Sequence, residues 1–483
     1  MIYQNASHYK QAIINGETPC RDVVEAHQAR IDRHNPRLNA IVCEDRERVL
    51  NEAKQLDRQR TDGSTHGPLF GVPVTVKECF HMREFCTTVN YPPLKNYRPS
   101  QDSILVQRLR EAGAIILGKT NVPTLLADTQ TFGPLFPTCN NPYDTTRTSG
   151  GSTGGGAAAV AAGMSTIEIG SDIAGSIRNP SHYCGLFGLK PTQNGHVQDG
   201  HVPPLPNRHN GYLDMNSTGP LARTMSDIEL AYQVCYAPRW DYQRYLPVTP
   251  DMRPIESLAG LNIATYDSII GIEASQDVRT ALETTTQKLR SAGANVTKIK
   301  LDHHLSQRIL RLWVKLFGFV IGQDFNWPMR QLLKLKFGMD LKGSRLDAQK
   351  ELKDGLSLDF RQFSMALREQ QECTAELLRL FKQYDFLMGP TSMGPAFEHN
   401  PKHKDILVDG ERVNYADYCF GFVMPFNATR LPVLAIPAGQ TRNGLPVGLS
   451  VVAPHYCEDP LIRFGHLVEA SGCVFTPPEA CCQ

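Results

Sequence analysis

TSGGSTGGGAAAVAAGMSTIEIGSDIAGSIRNP, residues 148–180, decides how the rest of the chain is read. A Gly/Ser loop runs into an Ala-rich stretch, about 154–163, that favours a helix. The run STIEIG follows as a short strand, and a second Gly/Ser loop leads into a helical turn. The apolar strand between the loops argues against a flexible linker and for one unit of an α/β fold. Ser152 and Ser176 lie 24 residues apart, each beside glycine, which permits positive φ and close approach of a ligand. Amide hydrolysis needs an activated hydroxyl, a base and donors for an oxyanion. Ile173-Ala174-Gly175-Ser176 offers consecutive backbone N–H groups, and a helix starting just beyond would add its dipole. The residues alone leave a phosphate-cradling glycine loop open too, although the run is not GxxxxGK[ST] and no GxGxxG follows a strand.

Outward from this stretch the alternation continues. GVPVTVKE (71–78) is β-branched and bounded by Gly and Pro, so it reads as a strand. DSILVQRLREAGAIILGKTN (102–121) reads as a helix, a stop at Gly113 and a buried strand, AIIL. Residues 17–60 form two polar segments of helical period, the first behind Thr18 as N-cap. ESLAGLNIATY and VRTALETTTQKLRSAGANVTKIKL repeat helix and strand, and YDFLMGPTS (384–392) and LPVLAIPAG (431–439) read as strands ending in turns. The expectation is one large α/β unit spanning 1–483: N-terminal helices (1–60), a core (61–240), a helical insertion (300–380) and C-terminal core elements (384–483). At 483 residues the chain exceeds the roughly 250–300 at which single cores stop growing, so a large sheet with insertions is required if it does not split.

Composition excludes more than it selects. Lys plus Arg is 50 and Asp plus Glu is 49, a balance that gives no electrostatic footprint for nucleic acid. No stretch of ~20 apolar residues predicts a spanning helix, and the N-terminus lacks the basic start and apolar core of a secretory signal. The 13 cysteines show no CxxC pair or zinc spacing, so they are expected as reduced thiols in a cytoplasmic protein, with Cys481-Cys482 on a loose tail. His182 and the pair His303-His304 are expected in packing or surface roles.

GGSTGG, GSDIAGSIRNP and GLKPT, at this spacing, resemble the amidase signature family, and the resemblance extends through GVPVTVKE, GKTN (118–121), NNPYDTTRTSGGSTGG, GPLARTMSD (219–227), YDFLMGPT and FNATRLPVLAIPAG followed by GLPVGL. Only 245–380 matches poorly. The resemblance implies a mixed central β-sheet sandwiched between α-helices, and a Ser–Ser–Lys triad. Ser176 falls at the nucleophile, Ser152 at the bridging serine, which in the family follows a cis peptide bond (here from Gly151), and Lys77 at the base. It further implies the N–H groups of Ile173, Ala174, Gly175 and Ser176 as the oxyanion hole, with Gly151, Thr153, Asp172 and Arg178 in support and Lys190 structural. No metal and no organic cofactor are implied. The implied reaction is hydrolysis of a small-molecule carboxamide through an acyl-enzyme, releasing ammonia or an amine. Lysine can serve as base only when neutral, which requires burial to lower its pKa from about 10.4.

Four positions depart from the family pattern. Ala174 replaces a Gly of GSDxGGS, Pro137 and Arg430 stand at frequent glycines, and Ser450 replaces a frequent Gln. Residues 305–340 carry Trp313, Trp327, Phe317, Phe319, Phe325 and Phe337 among basic residues including Lys336. Three readings fit them: core-facing helices, an apolar substrate wall, or an interfacial membrane or dimer face. Two rival functions remain beside the single-chain amidase: a glutamine-hydrolysing amidotransferase subunit of a multi-protein complex, and a catalytically dormant binding or scaffold protein. The loop GHVPPLP (200–206) resembles single-chain amidases.

Overall fold

A computed structural model of the chain describes residues 2–61, 66–193, 198–206, 214–236, 252, 254–346 and 348–482. The side chains of residues 336–340, and with them Lys336 and Phe337 of the aromatic stretch, lie outside the described residues. An 11-stranded mixed sheet forms the spine. The strand Pro73–Lys77 lies between Ile115–Thr120 and Ile167–Asp172 and pairs parallel with both. Beyond Ile167–Asp172 the pairing turns antiparallel, through Ser217–Ala222, Phe187–Lys190, Val433–Gln440, Pro446–Val452 and Phe386–Pro390. Parallel pairing resumes at the far end with Asn262–Thr265 and Asn295–Lys298.

The three strands around Lys77 are buried along their whole length, as parallel strands covered on both faces must be. The helix Gly154–Ala161 covers them and is itself buried at every residue. Three glycines at its start are poor helix formers, but they allow it to lie hard against the sheet. A Cβ on Gly155 would fall 2.3 Å from the Asn121 amide nitrogen, and one on Gly156 2.3 Å from the Glu168 side chain.

Some local expectations change. Thr18 is not the cap of the first long helix, which spans Cys20–Leu38 behind Pro19. Asp57, from the neighbouring helix Arg46–Thr61, accepts the Cys20 and Arg21 amides instead, so a tertiary carboxylate does the capping. A further helix, Ala6–Ile14, precedes it, capped by Asn5 and by Asp227, which accepts the Ala6 amide. The C-terminal tail is not loose: Cys481 is buried among the N-terminal helices, and Arg37 donates to the Ala480 carbonyl. All 13 cysteines are free thiols.

In the 300–380 region the helix His303–Gly322 buries Ile309, Leu310, Leu312, Trp313, Val314 and Leu316, so it is core-facing. Arg308 pairs with Glu376 on the outer side. His303 and His304 are exposed at its start, whereas His182 is buried between the Gly448 and Gly394 carbonyls, a packing role. No helix among the described residues is long and apolar enough to cross a membrane.

The packing of the glycine helix gives a direct test. Gly155→Ala places a methyl against backbone that cannot move without the strand, so it should cost about 3 kcal/mol, the upper part of the overpacking range. Denaturant unfolding of the variant against wild type measures it.

Candidate active site

The chain places Lys77 at the end of its strand with its amine at zero exposure. Its Nζ lies 2.8 Å from Ser152 Oγ, 3.0 Å from Ser171 Oγ and 3.1 Å from the Ser171 carbonyl. All three are neutral oxygens. Burial pushes the amine down to about 8, against the opposing pull of Cys79, Asp172 and Glu168.

Ser152 follows a cis peptide bond from Gly151, as the resemblance implies. A Cβ on Gly151 would meet Asp128 and Thr129 backbone at 2.7 Å, so glycine is required at this approach. Thr153 ties the two serine loops together, its amide donating to the Ser176 carbonyl at 3.2 Å. Ser152 and Ser176 are almost wholly buried, and both open on one cleft.

The loop after Ile167–Asp172 is organised by Asp172. Its carboxylate accepts the Gly175 amide at 2.8 Å and the Ile177 amide at 3.1 Å, and pairs with both Arg178 Nε and Nη2 at 3.0 and 2.9 Å. Asn427 adds a side-chain donor at 3.0 Å. Burial alone would raise this carboxyl, but the Arg178 guanidinium and these hydrogen bonds hold it well below the usual carboxylate range. Asp172 and Arg178 thus tie the loop together by these hydrogen bonds. One expected donor departs from the set: the Gly175 N–H is already given to Asp172, which leaves Ile173, Ala174 and Ser176 as the stretch's candidates for an oxyanion.

The departures from the family pattern also find reasons here. Gly175 sits at φ +89 with Val423 only 2.8 Å from a would-be Cβ, whereas Ala174 is not among the positive-φ residues and tolerates its methyl. Arg430 does adopt φ +62, the left-handed region where glycine is usual, and its guanidinium pairs with Asp214 at 3.0 Å. Ser450 is buried against Thr391 Oγ1 at 2.9 Å, and the Pro137 carbonyl accepts from Asn121. Lys190, also buried and pushed down to about 7 by desolvation, donates to the Pro191 carbonyl and does not line the cleft, in keeping with a structural role.

Sequence reasoning missed Ser171, His201 and Asn427, and named Trp313 with a substrate wall as one of three open readings of 305–340. Ser171 was within reach, because it directly precedes Asp172 at the end of the strand that leads into the second loop. His201 sits 2.9 Å by Nε2 from Ser171 Oγ and 2.7 Å by Nδ1 from the Pro203 carbonyl, a contact across 30 residues that no spacing announces. Trp313 donates its indole N–H to the Ile173 carbonyl at 3.0 Å and stacks on Phe317 at 4.6 Å. The insertion helix is thus a wall of the cleft as well as a core element.

The cleft has two lobes that share Leu126, Ala127, Ile173, Ser176 and Phe317. One, of about 80 Å³, is walled by Trp313, Val314, Leu341, Leu352, Phe420 and Met424 and floored by Asp128. The floor is saturated internally: Asp128 accepts from the Tyr415 hydroxyl at 2.6 Å and pairs with His403 at 2.8 Å. The other, of about 110 Å³, holds Ser152, Ser171 and His201 among Leu205, Val320, Ile321, Phe325 and Leu333. Among the described residues neither lobe is lined by Lys or Arg.

Removing one member of the buried pair should be costly. Asp172→Ala leaves the Arg178 charge buried and uncompensated, so stability should fall by about 3–5 kcal/mol, and Arg178→Met in the same chain should recover part of it. Urea titration at pH 7, where Asp172 is fully ionised, reads both.

Comparison with known proteins agrees with this geometry. The sequence profile of the family described as Amidase matches residues 22–462. The chain is 30% identical to a subunit of the glutamyl-tRNA(Gln) amidotransferase of Salinispora arenicola (strain CNS-205), over 98% of both chains. Its fold superposes on 6-aminohexanoate cyclic dimer hydrolase with TM-score 0.81 at 24% identity, over 99% of both chains. It also superposes on a chain from a vestigial protein complex linked to the origins of an s-triazine catabolic enzyme, with TM-score 0.79 at 26% identity, over 98% and 99%. With profile, relatives and fold in agreement over nearly its whole length, the chain belongs to the amidase (amidase signature) family.

Proposed function

We propose that the protein is a single-chain serine hydrolase that cleaves carboxamides through an acyl-enzyme on Ser176, and that its preferred substrates carry apolar groups on both sides of the amide. The observation that carries the reading is the 2.8 Å contact between a buried, partly neutral Lys77 amine and Ser152, beside Ser176 in one cleft. As Ser176 Oγ attacks the carbonyl carbon, its proton passes to Ser152 Oγ, and the Ser152 proton passes to the Lys77 lone pair. The negative charge on the carbonyl oxygen is met by N–H groups among those of Ile173, Ala174 and Ser176. Lys77 then returns a proton through Ser152 to the leaving nitrogen, the C–N bond breaks, and water later cleaves the Ser176 ester by the same route reversed.

Ser152 lines only the larger lobe, so the leaving amine belongs there and the acyl group belongs against Trp313 and Met424. A substrate that releases only ammonia has nothing to place in the larger lobe. Apolar lining on both arms supports a substituted amide of modest size.

A second reading, glutamine hydrolysis as one subunit of an amidotransferase, is favoured by the resemblance to the Salinispora arenicola amidotransferase chain. Glutamine carries a carboxylate, and burying one without a cation is costly. The absence of Lys and Arg among the described lining residues weighs against it.

Active-site labelling and steady-state kinetics test the proposal. A fluorophosphonate probe should add once to wild type and not to Ser176→Ala, read by intact mass. An unlabelled wild type would remove the nucleophile assignment. Steady-state turnover of N-butyl phenylacetamide should then exceed that of L-glutamine at least tenfold, and the reverse order would move the assignment to the amidotransferase reading. Because only neutral Lys77 accepts a proton, kcat/KM should rise with pH through a midpoint of about 8 and level off above it. Lys77→Ala should abolish that limb and lower the plateau by about 1,000-fold.

A further inference from the structure

The reaction proposed above requires the Lys77 lone pair to face Ser152, and nothing in a freely rotating amine ensures this. A neutral amine has two hydrogens and one lone pair. Around Lys77 Nζ stand three oxygens: Ser152 Oγ, Ser171 Oγ and the Ser171 carbonyl. The carbonyl can only accept. The two hydroxyls can do either, so the direction of the Ser171 hydroxyl decides where the lone pair goes.

His201 settles that direction. Its Nδ1 lies 2.7 Å from the Pro203 carbonyl, an acceptor only, so Nδ1 carries the ring proton. Burial pushes the imidazole down to about 3, which keeps it neutral. Nε2 is then a bare acceptor, 2.9 Å from Ser171 Oγ, and takes the Ser171 hydroxyl proton. The ring is held in place edge-on to Phe80 at 5.5 Å.

We propose that His201 is a positioning residue for the base: by fixing Ser171 Oγ as an acceptor, it assigns both hydrogens of neutral Lys77 to Ser171 and aims the lone pair at Ser152. The path runs Pro203 carbonyl, His201, Ser171, Lys77, Ser152, Ser176. No proton leaves the first three groups during turnover, so His201 enters the reaction only through geometry. The inference rests on the triad reading.

Without an acceptor at 201, the one other partner of the Ser171 hydroxyl among the described residues is the Cys79 thiol at 3.9 Å, a weak acceptor, so the hydroxyl turns to donate to the Lys77 lone pair, in competition with Ser152. That arrangement stabilises neutral but misdirected Lys77. The charged and titratable groups facing the amine are Cys79, Asp172 and Glu168, and those facing the imidazole are Lys77 and His81, all retained in the variants below.

The test is a double-mutant cycle read by the rate of fluorophosphonate labelling of Ser176 as a function of pH, with thermal unfolding in parallel. His201→Phe, which keeps a ring but no acceptor, should lower the high-pH labelling rate about 100-fold and move the limb below about 8. A purely structural role would lower the amount of active protein without moving the limb. His201→Gln, whose Oε1 can accept from Ser171, should stay within about fivefold of wild type. In the Ser171→Ala background, His201→Phe should have no further effect. Three results overturn the proposal: an unshifted limb in His201→Phe, equal loss in His201→Gln, or additive losses in the double variant. If His201→Phe does not fold, the His201→Gln rate and its additivity with Ser171→Ala decide alone. A wild type that is never labelled refutes the triad reading itself, a different outcome from any of these.

Discussion

The site depends on an amine held inside a sheet with no carboxylate against it. Desolvation penalises a buried ammonium by several kcal/mol unless an opposite charge stands beside it. Lys119 shows the compensated case one strand away, with Glu78 at 3.8 Å and both side chains at zero exposure. Among the described residues Lys77 has only neutral oxygens within hydrogen-bond reach, so its equilibrium moves toward the free amine. The strand order produces this. Placing Pro73–Lys77 between two parallel neighbours buries it on both faces and brings the Ile167–Asp172 strand end, with Ser171, to the amine. Lys190 makes the complementary point: burial lowers it too, but its hydrogen goes to a carbonyl away from the cleft. Burial makes a lysine able to accept a proton, and its location determines which proton it accepts.

What could be read from the chain follows the range of the interactions. The strand around Lys77, the helix after Ser152 and the loop before Ser176 are specified by residues within a dozen positions of each other, and the structure places them close to where the pattern did. Asp172 and Arg178 belong to the same local class, six residues apart. Apart from Ser171, the failures are long-range. Thr18 looks like a cap because its neighbours are helical, yet Asp57 does the capping from 37 residues away. Trp313 meets Ile173 across 140 residues, and Asn427 meets Asp172 across 255. Local periodicity carries no information about such partners.

The glycine pattern of the second loop separates into two different demands. Gly175 is fixed by backbone: positive φ, and Val423 where a side chain would begin. The preceding position is fixed by neither, so a methyl on Ala174 changes the cleft wall without disturbing the loop. A departure from the family pattern at 174 is therefore a statement about what the cleft accepts, whereas one at 175 would be a statement about whether the loop forms at all.

The insertion helix links these two matters. Its Trp313 holds the Ile173 carbonyl by one hydrogen bond while its ring, stacked on Phe317, faces the smaller lobe. The Ile173 carbonyl and the Ala174 N–H belong to one planar, trans peptide unit, so pinning the first fixes the direction of the second. Asp172 pins the same loop from the other side through the Gly175 amide. The donors that the proposed function aims at an oxyanion are thus held between the buried Asp172–Arg178 pair and an aromatic wall that belongs to the poorly matched region. A change of wall at Trp313 will also tilt the 173–174 peptide, which the proposed function assigns to the oxyanion. On the proposed function, binding selectivity and catalytic rate are coupled through the Trp313 indole.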